Sequence, residues 1–112
     1  MCCLFGIMDY GHKLSLKEKT KILSVLSVAC EERGTDATGI AYNSGGSLKV
    51  YKRPLPAHLL WLKVYEDTNL VMGHTRMTTQ GSERFHQHNH PFSGQAGTTS
   101  FALAHNGVLN ND

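Results

Sequence analysis

Apolar positions in this chain come in short runs separated by turn-forming residues, and the period of the pattern changes along the sequence. Cys3 to Ile7 is apolar, β-prone at Phe5 and Ile7, and closed by Asp9, Tyr10 and Gly11, which predicts a short buried strand at the start. Ser15 followed by Glu18 has capping-box spacing: the Ser side chain can accept from the amide three residues on while the Glu reaches back. Ile22, Leu23, Leu26, Ala29 and Cys30 then recur at helical spacing, predicting one amphipathic helix over roughly Leu16 to Arg33 with Gly34 as its stop. Lys13, Lys17, Lys19 and Lys21 read as the solvated face of that helix.

Thr38 to Tyr42 and Leu48 to Lys52 flank Asn43, Ser44, Gly45, Gly46 and Ser47, a cluster able to supply the positive backbone angles of a hairpin turn. Pro54 and Pro56 end the second strand, and Ala57 to Val64 is expected as a short helix or an irregular apolar segment packing through Leu59, Leu60 and Leu62. Leu70 to Thr75 and Ser100 to His105 read as buried strands. Between them about 24 residues rich in Gly, His, Asn, Ser and Thr are expected as a loop, and a loop that long in a small domain is usually functional or disordered. Asn110, Asn111 and Asp112 bring no closing element, which suits part of a larger domain.

Composition narrows the class only modestly. With 112 residues there is room for one small domain, and 40% apolar and 18% charged residues are ordinary for a soluble protein. A net charge of +2 does not point to nucleic acid. The apolar run from Cys2 to Met8 is too short to span a membrane and lacks the flanks of a signal peptide, so a cytoplasmic location is expected. Three cysteines in a reducing compartment, two of them adjacent, do not suggest a disulfide framework.

Three fragments carry chemistry. Cys2, once Met1 is removed, would hold both a thiol and a free α-amine. An amine with an ordinary pKa of about 7.7 to 8.0 can take the thiol proton near neutral pH, so nucleophile and base would share one residue. In Gly73-His74-Thr75-Arg76-Met77-Thr78-Thr79-Gln80-Gly81, a strand runs out into the long loop, where Arg76 can grip a carboxylate bidentately and neighbouring hydroxyls can add hydrogen bonds. In Ala104-His105-Asn106-Gly107, the Asn106 amide and the Gly107 backbone N–H are two neutral donors that can converge on one oxyanion. Each fragment alone has an ordinary structural explanation: a small apolar strand residue, a surface arginine beside a turn, a tight Asn-Gly turn.

Their order is more specific than any one of them. MCCLFG at the start, RGTDATGIA at Arg33 to Ala41, GHTRMTTQG at Gly73 to Gly81, NHPF at Asn89 to Phe92 and AHNGVLNN at Ala104 to Asn111 together resemble the class II, N-terminal-nucleophile glutamine amidotransferases. The resemblance covers nearly the whole chain. It implies an α+β fold, the four-layer αββα sandwich of N-terminal-nucleophile hydrolases, incomplete here, with residues 1–112 as the N-terminal part of a single glutamine amidotransferase type 2 domain. It also implies a glutaminase half-reaction with Cys2, Asn106 and Gly107 as the catalytic residues and Arg76, Met77, Thr79 and Gln80 as the substrate-binding stretch. Glutamine would be the substrate, no cofactor would be required, and a synthase domain or a complementing chain would be the partner. Arg33 to Gly39 would be a loop and turn near the site, with Asp36 in a structural role.

The sequence also departs from that family. Cys3 stands where glycine usually follows the nucleophile. Met77 and Gln80 replace a Trp and a His common in synthase-type members, which points away from a sugar-phosphate aminotransferase. The acidic motif whose aspartate binds the substrate α-amine is not in these residues. Two other readings follow: a non-catalytic remnant or interaction subunit that needs a complementing chain, and a metal-binding module built on the alternating His86, His88 and His90.

Overall fold

The computed structural model describes residues 2–77 and 91–104. The chain opens with β1 (Cys3–Met8), whose alternation puts Phe5 and Ile7 against the core while Leu4 and Met8 stay exposed. The connection to the helix is shaped by Asp9, whose carboxylate accepts from the Lys13 and Leu14 amides, both at 3.0 Å. The capping box forms as expected: Glu18 N–H donates to Ser15 Oγ at 3.1 Å and Ser15 N–H to Glu18 Oε1 at 3.0 Å. Helix α1 (Leu16–Cys30) follows, and Glu31–Arg33 continue it as a single 3₁₀ turn.

The buried line of α1 is Lys19, Leu23, Ser27 and Cys30, whereas Ala29, expected inside, is exposed. Lys19 corrects the reading of the lysines as a solvated face. It is 1% exposed, and its Nζ donates to the carbonyl oxygens of Tyr65, Glu66 and Thr68 at 3.0, 2.8 and 2.8 Å. The ammonium gathers the 65–68 loop through its carbonyls, of which Tyr65 O also accepts from Thr68 N–H at 3.1 Å. Lys19→Met should lower unfolding stability by about 2 kcal/mol, since the Thr68 carbonyl loses its donor where water has little access. Chemical denaturation followed by circular dichroism reads this, and an unchanged midpoint would refute the role.

Next come β2 (Ala37–Ser44) and β3 (Ser47–Arg53), joined through Gly45 and Gly46 at φ of 59° and 74°. Those positive angles are why two glycines occupy the turn. Asp67 holds it from outside, accepting from Ser44 Oγ and the Gly45 amide. After a short 3₁₀ turn at Ala57–Leu59, the chain runs irregularly: Leu62 and Val64 are buried, Leu60 packs on the core, and Leu59, expected inside, is 60% exposed. Strand β4 (Leu70–Arg76) enters the middle of the sheet.

The strand order is β1-β4-β2-β3, antiparallel throughout, with α1 covering one face through Leu23 against Ile40, Leu62, Val64 and Val71. Among the described residues the fold is therefore α+β, with one α-helix on a four-stranded antiparallel sheet. A second sheet pairs β5 (Phe92–Ala96) with β6 (Thr99–Leu103) across a turn in which Gly97 has φ 65°. Strand β5 corrects the expectation of an unbroken loop before Ser100; its Phe-Ser-Gly-Gln-Ala sequence has little strand propensity of its own and gains its ladder by pairing with β6. Lys52 Nζ donates to Pro91 O at 3.1 Å, so β3 meets the segment leading into this hairpin. Among the described residues no helix is long and apolar enough to cross a membrane.

Four carboxylates are held below their ordinary pKa by backbone donors: Asp9 by the Leu14 and Lys13 amides, Glu18 by Ser15, Glu31 by His58, and Asp67 by Gly45. The unfolded chain therefore binds protons at a higher pH than the folded one. Their stabilisation is complete above the ordinary carboxyl range and is lost as pH falls through the lowered values. The denaturation midpoint should fall modestly as pH drops below about 4.5, the ordinary carboxyl range. A midpoint that rises on acidification would contradict it.

Candidate active site

Antiparallel pairing of β1 with β4 brings the start of one strand to the end of the other. The ladder begins at Cys3 opposite Thr75, and continuing its register by one residue sets Cys2 across from Arg76. Positions so continued from a ladder lie toward one face of the sheet. Both are buried, Cys2 at 7% exposed and Arg76 at 5%, and Cys2 is outside the disulfide.

The face they share is the one turned away from α1. Cys3, Phe5 and Ile7 point to the helix, and Thr75 Oγ1 donates to Cys30 O at 2.9 Å on that same side. Alternation therefore turns Cys2 and Arg76 the other way. Met72 of β4 is on their face too, where with Ala41, Leu48, Leu70 and Ala102 it lines a cavity of about 330 Å³ toward the β5–β6 side. A larger concavity of about 640 Å³ lies on the helix side, lined by Leu16, Lys17, Val25, Trp61 and Leu62 among others. It contains neither nucleophile nor guanidinium and is separate from the candidate site.

The RGTDATGIA stretch braces the end of β4. Asp36 N–H donates to Arg76 O at 2.9 Å, and Gly34 is buried against the Thr75–Arg76 peptide. The expected loop thus extends over Gly34–Asp36, while Ala37, Thr38 and Gly39 already belong to β2, because their ladder with β4 starts at Ala37 opposite Arg76. The helix stop at Gly34 has a different basis from a left-handed cap. Its φ is −165°, and a Cβ there would lie 2.7 Å from Thr75 O.

The cysteines correct the expectation of unpaired thiols. Cys3 and Cys30 are disulfide-bonded with Cα atoms 5.5 Å apart. The pairing arises because β1 runs beside the end of α1 and strand alternation turns Cys3, not Cys2, toward the helix.

Of the expected site residues, Cys2 and Arg76 lie at the same end of the β1–β4 pairing, and Met77, the last described residue of that loop, is 36% exposed. Thr79, Gln80, Asn106 and Gly107 lie outside the described residues, as do His86, His88 and His90. Among the described residues no three His, Cys, Asp or Glu side chains are gathered to hold a metal ion.

A glutamine-fructose-6-phosphate aminotransferase (isomerizing) of Staphylococcus epidermidis is 32% identical over 99% of this chain. Others of the same description, from Caldanaerobacter subterraneus and Halobacterium salinarum, are 32% identical over 95% of it and 38% identical over 72%. The chain is homologous to the N-terminal region of class II glutamine amidotransferases. This amidotransferase homologue spans 18%, 17% and 13% of the length of those three relatives, respectively. No family model and no solved structure matches it. These relatives are named as sugar-phosphate aminotransferases, whereas Met77 and Gln80 of this chain depart from the Trp and His common in synthase-type members.

Proposed function

We propose that this chain carries the glutaminase half-reaction of a class II amidotransferase, as the N-terminal part of a single amidotransferase domain of αββα layering. The observation that carries the reading is the burial of Cys2, a cysteine outside the disulfide, one residue ahead of the ladder pair that precedes the buried Arg76 at the same end of the sheet. After loss of Met1, the Cys2 α-amine takes the thiol proton and the sulfur attacks the γ-carbonyl carbon of glutamine. Asn106 and Gly107 donate to the oxyanion. As the tetrahedral intermediate collapses, the carbon–nitrogen bond breaks and the proton passes from the ammonium to the leaving nitrogen, releasing ammonia. Water, deprotonated by the same amine, hydrolyses the thioester to glutamate and restores the thiol.

Arg76 pairs with the α-carboxylate, and Met77, Thr79 and Gln80 line the substrate beside it. No cofactor enters this chemistry. The ammonia goes to a synthase domain or a complementing chain, and the reaction belongs to the cytoplasm. The relatives' name, glutamine-fructose-6-phosphate aminotransferase, supports the choice of glutamine as substrate.

The test is incubation with an electrophilic glutamine analogue followed by intact mass and peptide fragmentation. A chain lacking Met1 and modified once, at Cys2, with modification lost in Cys2→Ala, is the expected result. Retention of Met1, or equal modification of all three cysteines, would sink the reading.

A further inference from the structure

The function proposed above uses Cys2 and leaves the neighbouring cysteine pair without a role. Cys3 and Cys30 sit 5.5 Å apart at Cα, the usual separation for a disulfide, and join the first paired residue of β1 to the last residue of α1. Cys30 is 8% exposed and Cys3 is half-buried, so a small reagent reaches Cys3 first and Cys30 is placed to complete the exchange. Cys2 faces away across the sheet and is not part of the pair.

Position matters as much as proximity. In the order β1-β4-β2-β3, β1 is an edge strand held on one side only, and its ladder starts at Cys3. Cys2 is thus the residue next to the one the bond ties, one position ahead of the first ladder pair of an edge strand, and edge strands open locally more readily than central ones. At the far side of the bond, the Cys30 carbonyl accepts from Thr75, the residue beside Arg76, so the helix end is itself fixed to the strand that carries the guanidinium.

We propose that Cys3 and Cys30 form a reversible redox site, exchanging with small-molecule disulfides of the glutathione type, whose oxidised state locks the start of β1 and so holds Cys2 opposite Arg76. The regulatory part rests on the proposed glutaminase reading. In the exchange, the Cys3 thiolate attacks one sulfur of the small disulfide, forming a mixed disulfide and expelling a thiolate. The Cys30 thiolate then attacks the Cys3 sulfur and expels the second. The protein loses two hydrogens, and the small disulfide is reduced to two thiols that take up the two protons.

The experiment equilibrates the full chain at several ratios of oxidised to reduced glutathione and alkylates the remaining thiols. Fragmentation mass spectrometry then assigns each cysteine, and amide exchange at Leu4 and Phe5 and the rate of labelling by the electrophilic glutamine analogue are followed in parallel. The expected result is a Cys3–Cys30 link with Cys2 free at high ratio, exchange at Leu4 and Phe5 about tenfold slower than in the reduced chain, and labelling of Cys2 at least threefold faster. In Cys30→Ser the mixed disulfide should stay on Cys3 as the ratio rises, and the ratio-dependent slowing of amide exchange at Leu4 and Phe5 should vanish.

Three free thiols at every ratio, a link involving Cys2, or glutathione retained on Cys3 would overturn the redox site. Equal amide exchange in the two states would overturn the lock. Absence of labelling in both states would instead count against the glutaminase reading, while the thiol assignment and the amide exchange still judge this one.

Discussion

Gly34→Ala should destabilise the chain by about 3 kcal/mol, a large share of the roughly 5–15 kcal/mol available to a domain of this size. A Cβ at this position would lie 2.5 Å from Arg76 N and 2.7 Å from Thr75 O, closer still to the Thr75 carbonyl carbon. These are backbone atoms of a central strand, paired with β1 on one side and β2 on the other, so no side chain can swing aside to relieve the contact. Either the loop lifts off β4 and Asp36 N–H loses Arg76 O, or the end of β4 shifts and carries Arg76 out of register with Cys2. Both outcomes lower stability and slow analogue labelling together. Gly11→Ala is the control, since a Cβ there meets only Lys13 methylenes at 3.6 Å and beyond. A Gly34→Ala chain with a wild-type denaturation midpoint would show that the loop is not packed as described.

Arg76→Lys is the second substitution with a large expected effect, this time on ligand recognition. Lysine keeps the charge but loses the planar fork that meets a carboxylate through two parallel N–H donors. Losing one of two charge-assisted hydrogen bonds in a buried setting costs about 2 kcal/mol, or roughly thirtyfold in affinity. Glutamine should therefore protect Cys2 from the analogue only at about thirtyfold higher concentration than in the parent chain. The bond from Asp36 N–H to Arg76 O is backbone to backbone and survives the change, so circular dichroism should stay near wild type. Unaltered protection by glutamine would remove Arg76 from substrate binding.

What could be read in advance follows the range of the interactions. The capping box at Ser15 and Glu18 and the turn at Gly45 and Gly46 are local, and both formed where their residues said they would. Lys19 was not legible, because the three carbonyls that make its burial favourable come from residues 65–68, brought alongside α1 only by the tertiary fold. The Cys3–Cys30 pair was hidden for the same reason: pairing requires knowing that β1 runs beside the end of α1. Gly34 was marked as a glycine position, yet its cause was a close backbone approach and not a left-handed cap. Strand β5 escaped notice because its composition is that of a loop and its partner supplies the order.

The site divides along similar lines. Cys2 and Arg76 were singled out by residue type and motif order, and the strand register gave them a common face. That relation depends on an antiparallel pairing between segments some seventy positions apart, which no local pattern encodes. Thr79, Gln80, Asn106 and Gly107 lie outside the described residues and stay within the proposal.

Trp61, in the concavity beside α1, has a spectroscopic consequence. It is the chain's single tryptophan, and it is 76% exposed in the folded state. Its emission should already resemble that of indole in water, be readily quenched by iodide, and change little as the chain unfolds. The same indole would shift to shorter wavelength if another surface came to cover it, which makes it a better reporter of contact at that concavity than of folding.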